Sequence, residues 1–129
     1  DVASNYFTTL EGTVAKHIAG DEEFENPQRL LDLAKAKDYG QYADKDGYLH
    51  INFLSNNDIT GGNSGSPVMN GKGELIGIAF DGNIEAMAGD VIFDEKLQRT
   101  ISVDIRYVLW VVDRFAGATN IIDEMTIVK

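Results

Sequence analysis

A glycine-rich turn between two strand-like patterns is the feature that most constrains how this chain can fold. It occupies residues 59–67, where Gly61, Gly62 and Gly65 surround Ser64. Glycine has no Cβ, so the backbone can adopt a positive φ at these positions and other groups can approach its N–H closely. Two N–H groups that converge beside a nucleophile form an oxyanion hole, which typically supplies a large share of catalysis. The turn is therefore a candidate for presenting one serine hydroxyl, although clusters of Gly, Ser and Asn are usually ordinary loops.

The residues on both sides of this turn are typical of β-strands. Apolar and polar side chains alternate from Tyr48 to Leu54, which predicts a half-buried strand. Pro67–Met69 and Glu74–Phe80, joined by the turn 70–73, predict a hairpin. Its second strand is nearly all apolar, so a central position in a sheet is expected. Further strand candidates are Asn5–Leu10, Val91–Phe93 and Arg99–Val103.

Two longer helices are predicted. Asn26 suits an N-cap and Pro27 suits the first helical position, which predicts a helix over Pro27–Tyr39 with Gly40 just past its end. Ile105–Phe115 is apolar on most faces and should form a largely buried helix. The predicted fold class is therefore mainly β with helices, and the second of these helices is its C-terminal helix.

Composition excludes several kinds of function. The 129 residues carry a formal charge of −10, which argues against nucleic acid and anionic membrane surfaces as partners. The absence of cysteine excludes disulfides, thiolate catalysis and cysteine–zinc sites. No apolar run is long enough for membrane insertion. A calcium loop centred on Gly47 fails because Tyr42 and Phe53 stand where carboxylates are required, so neither a metal nor another cofactor is expected.

Longer motifs in the chain resemble a known family. The run 62–67, Gly-Asn-Ser-Gly-Ser-Pro, resembles the nucleophile loop of chymotrypsin-fold serine peptidases. Residues 53–67, 75–83 and 103–107 together are similar to the C-terminal part of bacterial serine dipeptidyl peptidases, the dipeptidyl-peptidase 7 and 11 family. The resemblance implies that residues 1–129 are the C-terminal part of the catalytic domain, belonging to the second barrel of a chymotrypsin-like double β-barrel.

The resemblance also implies a function. Members of this family release dipeptides from the free N-termini of oligopeptides in the periplasm of Gram-negative bacteria, so a periplasmic or secreted location is expected. The implied nucleophile is Ser64, with the N–H groups of Gly62 and Ser64 as the oxyanion hole. Asp81 would bind the free α-amine of the substrate. Gly82 falls at the main specificity pocket and would favour an apolar residue before the cut bond. Phe80 is either a wall of that pocket or a core residue.

Taken without the family, Asp81 and Gly82 are more simply the start of a surface turn. A serine nucleophile also needs a general base, normally a histidine oriented by an aspartate. Only His17 and His50 are present, and the family places its catalytic His and Asp far upstream. The expected partners are therefore an oligopeptide substrate and the upstream part of the same polypeptide, and the isolated fragment should be inactive or nearly so.

Three further expectations stay open at this stage. Half of a two-barrel site would expose apolar surface, which favours self-association into a homodimer. A chymotrypsin-fold endopeptidase of the glutamyl-endopeptidase or HtrA type is the alternative within enzymes. Outside enzymes, the alternative is a non-catalytic peptide-binding barrel that has kept the serine loop.

Overall fold

A computed structural model describes residues 5–88 and 96–129 of the chain. The chain divides into two compact units. One consists of Asp1–Phe7 and Asn52–Ile105, and the other of Thr8–Ile51 and Arg106–Lys129. The predicted strand Val91–Phe93 lies outside the described residues.

The main element is a five-stranded sheet with the order β1-β2-β5-β4-β3. The pairs β2–β5, β5–β4 and β4–β3 are antiparallel. The predicted hairpin and the internal position of its second strand are confirmed. The bounds are Phe7–Thr9 for β1, His50–Ser55 for β2, Pro67–Met69 for β3, Leu75–Gly82 for β4 and Thr100–Asp104 for β5.

Several strand boundaries differ from the prediction by one or two residues, and two of these differences matter for the site or have a clear local cause. The first strand was predicted to include Leu10, but Thr9 ends it by acting as the N-cap of helix α1, Leu10–Ala15, where its Oγ1 accepts a hydrogen bond from the Gly12 N–H at 3.2 Å. Strand β4 was expected to stop at Phe80 and instead continues to Gly82. Asp81 and Gly82 are therefore strand residues, and the surface turn considered for them is wrong.

A β-bulge interrupts β4 just before these residues. Ala79 lies opposite Ser102 and Asp81 lies opposite Ile101, so Phe80 is one extra residue on the β4 side. A bulge of this kind bends the strand and changes which face the following side chains occupy. The bulge thus places Asp81 on the face of Ile101, while Ala79 shares the face of buried Ser102.

Close packing across the sheet explains Gly77. A Cβ at this position would lie 2.6 Å from Cε1 of Phe53 and 2.7 Å from the carbonyl oxygen of Val103. The Phe53 ring therefore occupies the space that a side chain at position 77 would need. Glycine in this strand reflects a close approach of neighbouring groups rather than a special backbone conformation.

The second unit contains most of the helices and a core built around Trp110. Its helices are α1, α2 (Gln28–Ala36), α3 (Ile105–Trp110) and α4 (Thr119–Asp123), with a 3₁₀ turn at Gly40–Tyr42. Trp110 is fully buried, and its indole N–H donates to the carbonyl of Asp38 at 2.8 Å. The residues buried with it are Leu10, Leu30, Ala34, Tyr39, Tyr42 and Leu49.

The helix predictions need correction at their ends. Pro27 has ψ of 140° and is the N-cap of α2, so Asn26 is not the cap and the helix begins at Gln28. The helix ends at Ala36 because Lys37 adopts the left-handed conformation with φ of 53°. The helix predicted as largely buried is α3 followed by π-helical turns over Val111–Phe115, and of these residues only Trp110 is buried.

Candidate active site

Two successive reverse turns carry the candidate serine. The Asn63 N–H donates to the Thr60 carbonyl at 3.1 Å in the first, and the Ser66 N–H donates to the Asn63 carbonyl at 2.9 Å in the second. The third residue of each turn is a glycine with positive φ, 97° at Gly62 and 88° at Gly65. This is the arrangement of a type II turn, whose third position favours glycine. The serine occupies the second position of the second turn.

Asn63 belongs to both turns and holds the first one closed. Besides its two main-chain bonds, its side-chain Oδ1 accepts a hydrogen bond from the Thr60 N–H at 2.8 Å. Asn side chains stabilise turns in this way by bonding to nearby backbone groups. The residue just before the serine is therefore fixed by contacts from its side chain and its main chain.

The loop is anchored to strand β4, and the serine hydroxyl faces solvent. The Gly65 N–H donates to the Ala79 carbonyl at 2.8 Å, and the Ala79 N–H donates to the Ser66 carbonyl at 2.9 Å. Ser64 is exposed, and its Oγ donates to the Phe80 carbonyl at 3.5 Å. Because that distance is long for a hydrogen bond between oxygens, the hydroxyl is held weakly and is accessible to a reaction partner.

The main-chain N–H groups of Gly62 and Ser64, on either side of Asn63, differ from those of Asn63 and Gly65 in their hydrogen bonding. The N–H groups of Asn63 and Gly65 are used by the turn and by strand β4. The N–H groups of Gly62 and Ser64 donate to no acceptor within residues 5–88 and 96–129. These two amides, named from sequence as the oxyanion hole, are therefore available to a substrate oxygen.

A pocket of about 210 Å³ opens beside the serine. Loop residues 59–61 form one side of it, the end of β4 forms another, and a 3₁₀ turn at Ile84–Ala88 contributes the rest. Apolar side chains from all three segments line it together with Ser64. The lining residues are Ile59, Thr60, Gly61, Ser64, Phe80, Asp81, Gly82, Asn83 and Ala86.

The pocket brings together the serine and all three substrate-binding residues named from sequence. Phe80, Asp81 and Gly82 are consecutive on β4 and all contribute to the lining. Sequence reasoning missed Ile59 and Ala86. Ile59 was detectable as the one apolar side chain in the polar stretch between β2 and the serine, whereas nothing in the sequence distinguishes Ala86.

Asp81 is a carboxylate without an ion-pair partner among the residues that the structure describes. It is exposed, and its Oδ1 accepts a hydrogen bond from the Gly82 N–H at 2.8 Å. Within the described ranges no Lys, Arg or His forms an ion pair with it. The carboxylate is therefore available to a cationic group of a ligand, and an ammonium group is a strong partner for it.

Gly82 lies close to Ala86, which lines the pocket from the 3₁₀ turn. A Cβ at this position would lie 2.7 Å from the Cβ of Ala86, 3.7 Å from the Arg99 carbonyl oxygen and 3.9 Å from Cγ2 of Ile59. Its φ is not in the left-handed region. Glycine is thus required here by the approach of the 3₁₀ turn.

Both histidines make contacts within the helical unit. His17 Nδ1 accepts a hydrogen bond from the Asn26 N–H at 2.9 Å. His50 is buried, with Nε2 2.7 Å from Asp46 Oδ2 and Nδ1 3.7 Å from Asp44 Oδ2. Both histidines belong to the helical unit, whereas Ser64 and its pocket belong to the other one.

The contacts of His50 identify an ionic cluster in the helical unit. The hydrogen bond to His50 lowers the pKa of the Asp46 carboxyl below its ordinary value. The backbone N–H of Lys45 and the Arg106 guanidinium, 3.0 Å away, lower the pKa of Asp44 against the opposing effect of burial. Across the parts of the chain that the structure describes, this cluster and the remaining His, Asp and Glu side chains form no group that could hold a metal ion.

The chain and its fold have clear relatives among known proteins. Residues 1–127 match the peptidase S46 family. The chain therefore belongs to that family, whose members are serine peptidases.

Several individual members of the family are similar to the chain. The chain is 66% identical to "Dipeptidyl-peptidase 7" of Capnocytophaga gingivalis over all of its 129 residues, which are 18% of that protein. It is 49% identical over 122 residues to the "Asp/Glu-specific dipeptidyl-peptidase" of the same organism. The crystal structure of Porphyromonas endodontalis DPP11 in complex with substrate matches with a TM-score of 0.93 and 45% identity, covering 95% of this chain and 18% of that one. The chain thus spans less than a fifth of the length of these relatives.

The comparisons confirm the family resemblance that was inferred from the motifs. The mostly antiparallel sheet with a few helices also matches the DPP11 structure. The comparisons also confirm that the relatives are dipeptidyl peptidases. Within the described residues, no helix is both long and apolar enough to cross a membrane.

Proposed function

We propose that this chain is the part of a serine dipeptidyl aminopeptidase that carries the nucleophile, the oxyanion hole and the contacts to the substrate's amine and side chain. The observation that carries the proposal is the position of Ser64. An exposed hydroxyl on a double turn has a pocket next to it and, beside it, two amides without an acceptor among the described residues; these are the parts that acyl transfer needs. Membership of the peptidase S46 family supports the same reading.

In the proposed reaction, Ser64 Oγ attacks the carbonyl carbon of the second peptide bond of the substrate. Its proton passes to a general base, and the carbonyl oxygen becomes an oxyanion that accepts hydrogen bonds from the Gly62 and Ser64 amides. Loss of such a donor typically lowers kcat about 10²–10³-fold. The leaving amine takes up the proton, and water then hydrolyses the acyl-enzyme to release the dipeptide and restore the serine.

The general base and its orienting acid belong, in this proposal, to a part of the protein outside this chain. His17 and His50 are occupied by contacts within the helical unit. A nucleophile and its base must meet within hydrogen-bond distance. The chain alone is therefore expected to be inactive or nearly so.

Asp81 is proposed to bind the free α-amine of the substrate. The support is that Asp81 is exposed, lines the pocket and forms no ion pair with a cation among the described residues. A carboxylate at a fixed distance from the nucleophile restricts cleavage to peptides whose ammonium lies two residues away. That restriction would make the enzyme an exopeptidase.

The pocket is proposed to accept an apolar side chain before the cut bond. Ile59, Phe80 and Ala86 supply its apolar walls, and Gly82 contributes no charge. Among the described residues, no cation lines it. An acidic side chain would therefore enter without a partner, which is unfavourable for a charge leaving water.

The wider context of the chain is part of the same proposal. The antiparallel sheet is assigned to the second barrel of a chymotrypsin-like double β-barrel, with residues 1–129 as a fragment of the peptidase catalytic domain. The resemblance supports a periplasmic or secreted location. Self-association into a homodimer is supported by exposed apolar side chains of the sheet, such as Met69, Leu75 and Phe80.

The full-length protein provides the test. Wild type should release dipeptides from a free-amine peptide and fail on its N-acetylated twin, and Ser64→Ala should abolish both activity and labelling by a fluorophosphonate. Ser66→Ala, in the same loop, is the matched control and should still be labelled. Equal cleavage of the two peptides would indicate an endopeptidase, and activity that survives Ser64→Ala would exclude this serine as the nucleophile.

A further inference from the structure

We propose that Ala86 is a second specificity-determining residue, which sets the size of the pocket jointly with Gly82. The inference deepens the proposed function and rests on it, because it concerns the side chain accepted before the cut bond. Ala86 was not distinguished by the sequence, and it enters the site only through the 3₁₀ turn at Ile84–Ala88.

The first argument is the distance between the two positions. A Cβ on Gly82 would lie 2.7 Å from the Cβ of Ala86. Carbon atoms that are not bonded pack best at about 3.5–4.0 Å. The two positions therefore compete for one volume: position 82 has room for a side chain only if the methyl group at position 86 withdraws.

The second argument is that the 3₁₀ turn is held in place. The Ala86 N–H donates to the Asn83 carbonyl at 2.9 Å. Asn83 is tied in turn to the segment before β5, since its Nδ2 donates to the Leu97 carbonyl at 2.7 Å and its Oδ1 accepts from the Arg99 N–H at 2.9 Å. Buried Gln98 adds a bond from Nε2 to the Glu85 carbonyl at 3.3 Å.

These bonds make Ala86 a fixed wall instead of a flexible neighbour. The pocket is bounded by Ile59 on the loop side and by Ala86 on the side of the 3₁₀ turn. A larger side chain at position 86 therefore reduces the space for a substrate side chain. A side chain introduced at position 82 alone would collide with the methyl group of Ala86, so it would not simply change which substrate side chain is preferred.

The first experiment measures kcat/KM of the full-length enzyme for free-amine substrates with Ala, Leu or Phe before the cut bond. Ala86→Leu should lower the ratio of the Phe to the Ala substrate by at least about 10-fold, because one methylene in an apolar pocket is worth about 10–200-fold and this exchange adds three carbon atoms. Ala86→Gly should raise that ratio. Ile84→Ala is the control, because Ile84 is 77% exposed on the same turn and does not line the pocket, and it should leave the ratio unchanged.

The second experiment tests the coupling of the two positions. Gly82→Ala should lower kcat/KM for all three substrates, and adding Ala86→Gly should restore most of the loss. Labelling of Ser64 by a fluorophosphonate, which needs no side chain in the pocket, reports whether each variant keeps a competent nucleophile.

The outcomes separate this inference from the function on which it rests. Ratios that stay the same in both Ala86 variants, or a Gly82→Ala defect that Ala86→Gly does not relieve, would overturn the role of Ala86 while leaving the peptidase intact. A wild-type enzyme that ignores the free amine would remove the proposed function and this inference together.

Discussion

Replacing Gly65 by alanine tests whether backbone conformation, and nothing else, requires glycine beside the candidate nucleophile. Gly65 has φ of 88°, and apart from its chain neighbours a Cβ there would meet no heavy atom of the described residues within 4 Å. The penalty is therefore confined to the left-handed backbone, which costs an L-residue about 1–2 kcal/mol. Gly71 is the matched control, because its Cβ would also meet nothing within 4 Å and its φ is not in the left-handed region.

Both substitutions remove the same conformational freedom from the unfolded chain, so that contribution cancels between them. Gly65→Ala should then be less stable than Gly71→Ala by about 1–2 kcal/mol. In urea titrations of the full-length protein, the midpoint of Gly65→Ala should therefore lie below that of Gly71→Ala. Gly65→Asn should fall between the two because Asn tolerates this conformation better.

The reasoning also predicts where the damage appears. Since Gly65 is the third residue of the turn that carries the serine, Gly65→Ala should slow fluorophosphonate labelling of Ser64, and Gly71→Ala should not. Equal urea midpoints for the two variants would show that the loop relaxes without strain and would refute the type II assignment.

Three further predictions concern binding, packing and pH. Asp81→Asn should lower kcat/KM for free-amine substrates by about 10–150-fold, as expected for a lost hydrogen bond to a charged group worth about 1.5–3 kcal/mol; an equal loss on N-acetylated peptides would contradict the amine contact. Gly77→Ala should lower the free energy of unfolding by about 1–3 kcal/mol because its Cβ overlaps the Phe53 ring, and a melting temperature like that of wild type would show that the ring moves aside. Because the pKa of Asp44 is lowered by folding, the folded state binds fewer protons there, so stability should fall as the pH drops below the ordinary 3.8 and through the folded-state pKa. Asp44→Asn should flatten that dependence in urea titrations at different pH values.

Much of the sheet could be predicted from sequence because its strands carry simple patterns. Alternation located β2, and proline with a glycine-rich turn located the hairpin of β3 and β4. The end of β4 could not be predicted, because a bulge depends on pairing with β5 and leaves no periodic signal. The end of α2 was missed for a related reason: Lys37 takes a conformation that sequence rules reserve mainly for glycine and asparagine.

The site divides in the same way. Ser64 could be named because a short glycine-rich motif carries it, whereas Asp81 could be named only through the resemblance of a longer run to a known family. Ala86 could not, since its importance is a distance to Gly82 that exists only after the chain has folded. The roles assigned to Gly62, Ser64, Phe80, Asp81 and Gly82 remain predictions until the variants are measured.

The extra residue in β4 has a consequence for how such proteins can diversify. If Phe80 were paired with Ile101 and the bulge were lost, Asp81 would lie opposite Thr100, on the side of the sheet occupied by buried Ser102, and Gly82 would move to the opposite side. Deletion of Phe80 would also remove the bulge, but it would leave Asp81 opposite Ile101. Lineages that keep Asp81 and Gly82 at this pocket should therefore conserve the pairing offset between β4 and β5 more strictly than the identity of the residue at position 80.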